Sequence, residues 1–219
     1  MKLTAIRTAT LALSATAIMT LALAEELLAQ GGRPASPRGQ AATQVGGSWA
    51  ADERGREQYQ GGKWIEIEYG RPILRQRRGV FGAGDEYGKK VAAGAPVWRA
   101  GANQSTRFTT EVDLMFGDRR LPAGAYSLFL ELSSPQKWTL ILSSWAAQER
   151  YDPNSKDALW GSYGYTPDKD VVRAEMTVME IPIPVDQLTF GFTDVTADGG
   201  TLALWWDRTT ATVPFQVAK

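Results

Sequence analysis

The chain has 219 residues, 24 Lys plus Arg against 24 Asp plus Glu, and neither histidine nor cysteine. A zero net charge argues against nucleic acid as a partner. Without imidazole or thiol there can be no zinc or copper site of the usual kind, no Ser-His-Asp triad, no histidine base and no disulfide.

Any catalysis would fall to carboxylates, Lys, Tyr, Ser or Thr, and no residue set marks a cofactor. The charge is unevenly spread. Residues 63–107 hold 9 basic and 4 acidic side chains, whereas 108–219 hold 9 basic and 15 acidic. Either opposite faces solvate one another, or a basic mouth attracts an anionic ligand.

Residues 1–24 read as a secretory signal peptide. Lys2 and Arg7 supply the positive start, Thr8 to Leu23 is uncharged and rich in Ala and Leu, and Ala22-Leu23-Ala24 is a small-x-small cleavage site. The expected location is therefore outside the cytoplasm, periplasmic or secreted. No later run is long enough for a membrane span. Residues 25–39, with Gly31-Gly32, Pro34 and Pro37, form a tether too poor in large apolar side chains to fold.

A single β domain is expected over 40–219. Gln40 to Val45 is a short first strand, and 48–62 is an exposed loop with at most one helical turn. From Lys63 the alternation of strands is explicit, with Ile65, Ile67 and Tyr69 on one face and Glu66 and Glu68 on the other. Arg75 to Lys90 is a loop anchored by Val80 and Phe81.

Val97 to Arg99 is a short strand, on which Trp98 and Arg99 point to opposite sides. Thr106 to Phe116 is a longer one. Further strands are centred on Leu128, Leu140, Val172, Leu188, Leu202 and Val213, the last placed at an edge by Pro214. The pattern predicts an all-β fold, one antiparallel β-sandwich of eight to ten strands, jelly-roll-like.

Between strands, 143–170 loses the alternation and carries Trp145, Tyr151, Trp160, Tyr163 and Tyr165. A structureless loop that long in a compact domain is usually functional or a misassignment. The aromatics either plug one end of the sandwich or form a stacking platform for a sugar or other planar ligand.

The densest set of ligand-capable groups is Val97 to Phe108. Arg99 offers a planar fork of donors to carboxylate or phosphate, or clamps a nearby bend. Asn103 either stabilises that bend or binds. Candidate ligand-binding residues are Arg71, Trp98, Arg99, Asn103, Trp160, Tyr163 and Tyr165, with no catalytic residue and no metal ligand among them. The carboxylate pairs Asp168/Asp170 and Asp194/Asp198 lack the ligand density of a calcium loop.

Tyr69-Gly70-Arg71-Pro72, Val97 to Asn103, Leu121-Pro122-Ala123-Gly124-Ala125-Tyr126 and Trp160 to Tyr165 occur in this order. Together with Ser36-Pro37-Arg38 they resemble one bacterial family, the domain of unknown function 2911, over about residues 36–219. The resemblance implies exported proteins with one β-rich domain and no established activity. Its pattern tends to carry Thr where this chain has Ala100, and Glu where it has Gln104. A Gln there removes a proton carrier.

The reading that follows is a non-enzymatic exported module binding a small polar or anionic ligand, a saccharide among the options, at one end of the sandwich. The alternatives are a carboxylate-dependent hydrolase of envelope or extracellular glycans, or a structural, protein-interaction domain.

Overall fold

The computed structural model describes residues 35–219. The signal peptide expected at 1–24, and residues 25–34 of the expected tether, lie outside the described residues. Residues 36–219 form one compact unit.

The fold is all-β, as the alternation predicts. Its strands are β1 (Arg38–Val45), β2 (Ser48–Ala51), β3 (Glu57–Gln60), β4 (Lys63–Gly70), β5 (Thr106–Thr110), β6 (Leu114–Phe116), β7 (Arg119–Leu121), β8 (Gly124–Ser134), β9 (Lys137–Ser143), β10 (Ala146–Ala147), β11 (Ala158–Leu159), β12 (Asp170–Thr196) and β13 (Gly199–Val217). The frame is a nine-stranded sheet in the spatial order β1, β4, β5, β8, β9, β12, β13, β6, β7. The first layer holds β1, β4, β5, β8, β9 and the start of β12. The second holds the rest of β12, β13, β6 and β7. All these neighbours are antiparallel.

The four strands expected after residue 170 are two long ones that bend. β12 pairs with β9 through Asp170–Met176, then with β13 from Thr177, and so passes from one layer to the other. Pro182 and Pro184 cannot donate to a ladder, and the register shifts between Glu180 and Val185. There Pro72 to Leu74 fill in: Leu74 N–H donates to Asp186 O and Leu188 N–H to Pro72 O.

Pro214 does not mark an edge. β13 is interior, and Pro214 falls after its last β12 partner, at Thr212, and before its first β6 partner, at Gln216. At that point neither neighbour asks for its missing N–H.

The strand expected over Thr106–Phe116 breaks after Thr110, crossing from the first layer to the second at Asp113. One oxygen of Asp113 accepts the Ala123 N–H at 2.8 Å, and the other accepts Nε and Nη2 of Arg120 at 3.0 and 2.6 Å. Residues 48–62 are likewise more ordered than expected. β2 (Ser48–Ala51) and β3 (Glu57–Gln60) form a hairpin in place of a loop with a helical turn. Asp52 ties its turn by accepting the Arg54 and Arg56 N–H groups.

The core lies between the layers. Ile65, Ile67, Phe108, Leu128, Leu130, Leu140 and Leu142 face Leu114, Phe116, Phe190, Leu202, Leu204 and Phe215. At its centre Phe81 meets Trp98, Trp138 and Trp206 edge-on at 5.6, 4.9 and 5.8 Å. Such aromatic contacts add about 0.5–1.5 kcal/mol each beyond area burial.

A second, smaller core lies on the outer face of β8 and β9, where Phe129 and Ile141 pack with Val97, Leu159 and Tyr165. These two strands are therefore buried on both faces, and the 143–170 segment covers a face of the sheet; it does not plug an end.

Asp113 gives a pH-dependent test of the corner. The Ala123 N–H first, and Arg120 second, hold its carboxyl below its ordinary value. A carboxyl depressed in the folded state contributes stability above its unfolded pKa, about 3.9, and loses it as pH falls through the lower folded value. Asp113→Asn should melt below the natural chain at neutral pH by circular dichroism, and the gap should close on acidification to about pH 2.

Candidate functional site

Residues 97–108 occupy one lane beside β8, with an excursion in the middle. Trp98 exchanges both backbone hydrogen bonds with Leu130, each at 2.8 Å, and Thr106 is opposite Leu128. Residues 99–105 are thus extruded opposite Phe129 alone, an outsized bulge that turns the chain out of the sheet. Ala100 and Asn103 take left-handed φ of 50° and 65° to make the turn.

Glycines let the bulge nest. A Cβ on Gly70 would lie 2.0 Å from Ala102 O, and one on Gly161 would lie 2.4 Å from Arg99 Nη1.

Trp98 and Arg99 do lie on opposite sides, against the main core and against Gly161 and Tyr163, but the difference in burial that this would suggest is absent. Both are buried, at 2% and 9% exposure. Trp98 lies in the main core. Arg99 lies flat on Gly161, donates through Nη1 to Asn103 O at 2.5 Å, and has the Tyr163 ring 5.2 Å from its guanidinium carbon. It is a clamp on its own bulge.

The other expected ligand residues are also engaged by the fold. Arg71 donates to Leu188 O at 3.0 Å and to Thr189 Oγ1 at 3.1 Å, joining β4 to β12. Asn103 Nδ2 reaches Ser36 O at 3.4 Å. Trp160 is half-buried and packs edge-on to Tyr151 at 5.8 Å. Tyr163 is half-exposed and reaches Ala93 O at 3.4 Å.

Tyr165 is buried and donates to Asp170 Oδ2 at 2.6 Å, inside a network that runs through Arg173 to Glu131. Burial first, and the Asp170 hydrogen bond second, raise its hydroxyl well above the ordinary tyrosine value. It stays a donor at all physiological pH.

What opens to solvent is a cleft of about 580 Å³ next to this bulge. It lies on the outer face of the first layer, where β1 and β5 begin and β4 ends. β1 contributes Arg38 and Gln40, β4 Glu68, the bulge and β5 Gln104 and Arg107, and the 143–170 segment Glu149 and Arg150. Strand register makes the row, since Gln40 is opposite Glu68 and Glu68 opposite Arg107.

Arg107 is fixed by Ala147 O at 3.0 Å and lies 3.7 Å from Glu149. Gln104 donates to Glu149 O at 2.7 Å. Arg38, Arg150 and Glu68 have no ion-pair partner among the described residues. None of the seven residues singled out from sequence lines this cleft. Its members come from four separate stretches, and only strand pairing brings them together.

Among the described residues, no group of three or more acidic side chains is arranged to hold a metal ion. No helix there is long and apolar enough to cross a membrane.

Fold and site define an all-β protein with a polar cleft on the outside of its larger layer. The chain belongs to the family described as a protein of unknown function, DUF2911, whose pattern it matches over residues 52–215. The match begins inside the β2–β3 hairpin and leaves out β1. No curated protein and no solved structure matches the chain.

The clamp makes a specific prediction. Gly161 has φ 68°, so Gly161→Ala incurs the left-handed cost of about 1–2 kcal/mol in addition to the clash with Arg99. Chemical denaturation of Gly161→Ala, Arg99→Ala and the double variant should show losses that do not add, because each disturbs the same contact.

Proposed function

We propose that the protein is an exported, non-enzymatic module that binds a small polar or anionic ligand in the outer-face cleft, an acidic saccharide fitting best. The observation that carries this reading is the cleft's uncommitted charge. Arg38, Arg150 and Glu68 face a space of about 580 Å³ without ion-pair partners among the described residues. That volume lies within the roughly 300–1,000 Å³ of small-molecule sites.

The arginines suit a carboxylate, and Glu68 and Gln40 suit hydroxyl groups, so a sugar acid would satisfy both sets. The cleft is at one end of β1, β4 and β5, though on their outer face and not between the layers.

A hydrolase would need two carboxyls free to act across the cleft. Glu149 is shared with Arg107, and Gln104 stands in the cleft where the resemblance noted above tends to carry Glu. Both points favour binding over catalysis. Export rests on the signal-like segment at residues 1–24. Edman sequencing of the mature chain recovered from the periplasm or medium should begin at Glu25.

A bound ligand raises stability by mass action. A thermal-shift screen of neutral sugars, uronic acids, simple organic acids and Ca²⁺ should single out the uronic acids. The shift should persist in Arg208→Ala, whose side chain pairs with Glu180 and does not line the cleft. It should fall about tenfold in apparent affinity in Arg38→Ala with Arg150→Ala, the size of one charge-assisted hydrogen bond. A shift untouched by that pair would move the ligand elsewhere.

A further inference from the structure

A second cavity, of about 190 Å³, lies on the other side of the bulge, beneath the arginine-rich segment that follows β4. Its floor is the pair of indoles Trp98 and Trp206, stacked at 5.9 Å and 17°. Its rim is Arg77, Arg78 and Lys90, and no carboxylate lines it.

None of the three cations has an ion-pair partner among the described residues. Arg77 spends two donors on the carbonyls of Leu74 and Ile73, and Arg78 one on that of Arg77. Carbonyls hold guanidinium groups in place without cancelling their charge.

Two further observations mark the cavity as built. Trp206 is 4% exposed, and its Nε1 is buried with no acceptor among the described residues. An indole N–H is donor-only, and a buried donor without a partner is uncommon enough to need an explanation. The second observation is strain. Arg75, Gln76 and Asp207 have φ of 48°, 67° and 52°, and non-glycine residues so placed cluster at functional sites. Asp207, next to Trp206, accepts the Gly79 N–H at 2.7 Å and so pins the basic segment over the indoles.

We infer that this cavity is a binding site, distinct from the polar cleft, for a small planar organic acid such as an aromatic carboxylate. The flat part lies against Val80, Val91 and the narrow edges of Trp98 and Trp206 that reach the cavity, and the carboxylate meets Lys90 and Arg78. An acceptor drawn in beneath the basic segment also satisfies the Trp206 N–H, a donor the fold alone leaves unpaired. The volume is below the roughly 300 Å³ of drug-sized sites, which limits the ligand to a single ring or to the acidic head of something longer.

The test is a ¹H–¹⁵N titration of the folded chain with three probes: benzoate, its neutral isostere benzamide, and inorganic phosphate. Benzoate should saturably shift the Trp206 indole N–H and the Lys90 and Val91 amides. Benzamide should bind about tenfold more weakly, having lost its charge-assisted contact. Phosphate, lacking a ring, should leave the indole signal unmoved. Lys90 and Arg78 are exposed, so Lys90→Ala and Arg78→Ala should fold normally and each weaken benzoate by about tenfold, while Lys90→Arg retains it.

Arg38→Ala with Arg150→Ala should leave benzoate binding unchanged, which separates this site from the cleft. The inference is overturned if benzamide binds as well as benzoate, if neither alanine variant weakens binding, or if the Trp206 indole signal stays fixed while benzoate binds.

Discussion

The rest of the domain is arranged around the extrusion of residues 99–105 from the lane beside β8. Phe129 faces the gap, Trp98 and Thr106 resume pairing on either side, and Arg99 closes the loop onto Asn103 O. This one irregularity has two faces. Inward, it leaves Trp98 in the core, stacked on Trp206. Outward, it delivers Gln104 and Arg107 to the cleft. Gly70 and Gly161 are required because the bulge comes closer to each than a Cβ would allow. Ser105, fully inside, places its one hydroxyl proton between Leu159 O at 3.0 Å and Gly161 O at 2.6 Å, so the bulge also fixes the aromatic segment that covers the sheet.

That covering explains an otherwise odd feature of β8 and β9. A strand with one solvated face alternates, but Phe129 and Ile141 interrupt the alternation because they too are buried. The 143–170 segment is anchored over them by Leu159 and Tyr165, and along its edge by polar contacts. Ser143 and Ser144 hydroxyls both donate to Lys169 O, and Lys169 Nζ lies 3.6 Å from the Trp145 ring centroid. Its aromatics are thereby occupied in structural contacts, and only Tyr151 and Tyr163 remain substantially exposed.

Much of the fold was legible because it follows from period-two alternation, which side-chain geometry imposes on any half-buried strand. Ile65, Ile67, Leu128, Leu140 and Leu202 are all in the core where alternation put them. What was not legible has a common cause. Whether two alternating runs are two strands or one bent strand depends on the partner, and β12 is continuous because β9, β13 and Pro72 to Leu74 pair it in turn. The Trp98–Arg99 pair misled for the same reason: opposite sides of a strand differ in burial only if one side is bare, and here Gly161 and Tyr163 cover Arg99. Neither cavity could be read at all, since register alone puts Gln40, Glu68 and Arg107 in a row.

The uneven charge has a counterpart in how the arginines of the two halves are held. In the acidic part of the chain most arginines, Arg150 excepted, find acidic partners close by: Arg120 with Asp113, Arg173 with Asp170 and Glu131, Arg208 with Glu180. In the basic part they mostly do not. Arg71, Arg77, Arg99 and Arg107 are held by the carbonyls of Leu188, Leu74 and Ile73, Asn103, and Ala147. A carbonyl orients a guanidinium but leaves its full charge to the surroundings, whereas a carboxylate removes it. If the two halves served only to solvate one another, ion pairs between them would be common, yet Arg107 with Glu149 at 3.7 Å is the one such pair among the described residues. The positive excess is therefore held by carbonyls beside one cleft and around one cavity, and is not paired across the two halves.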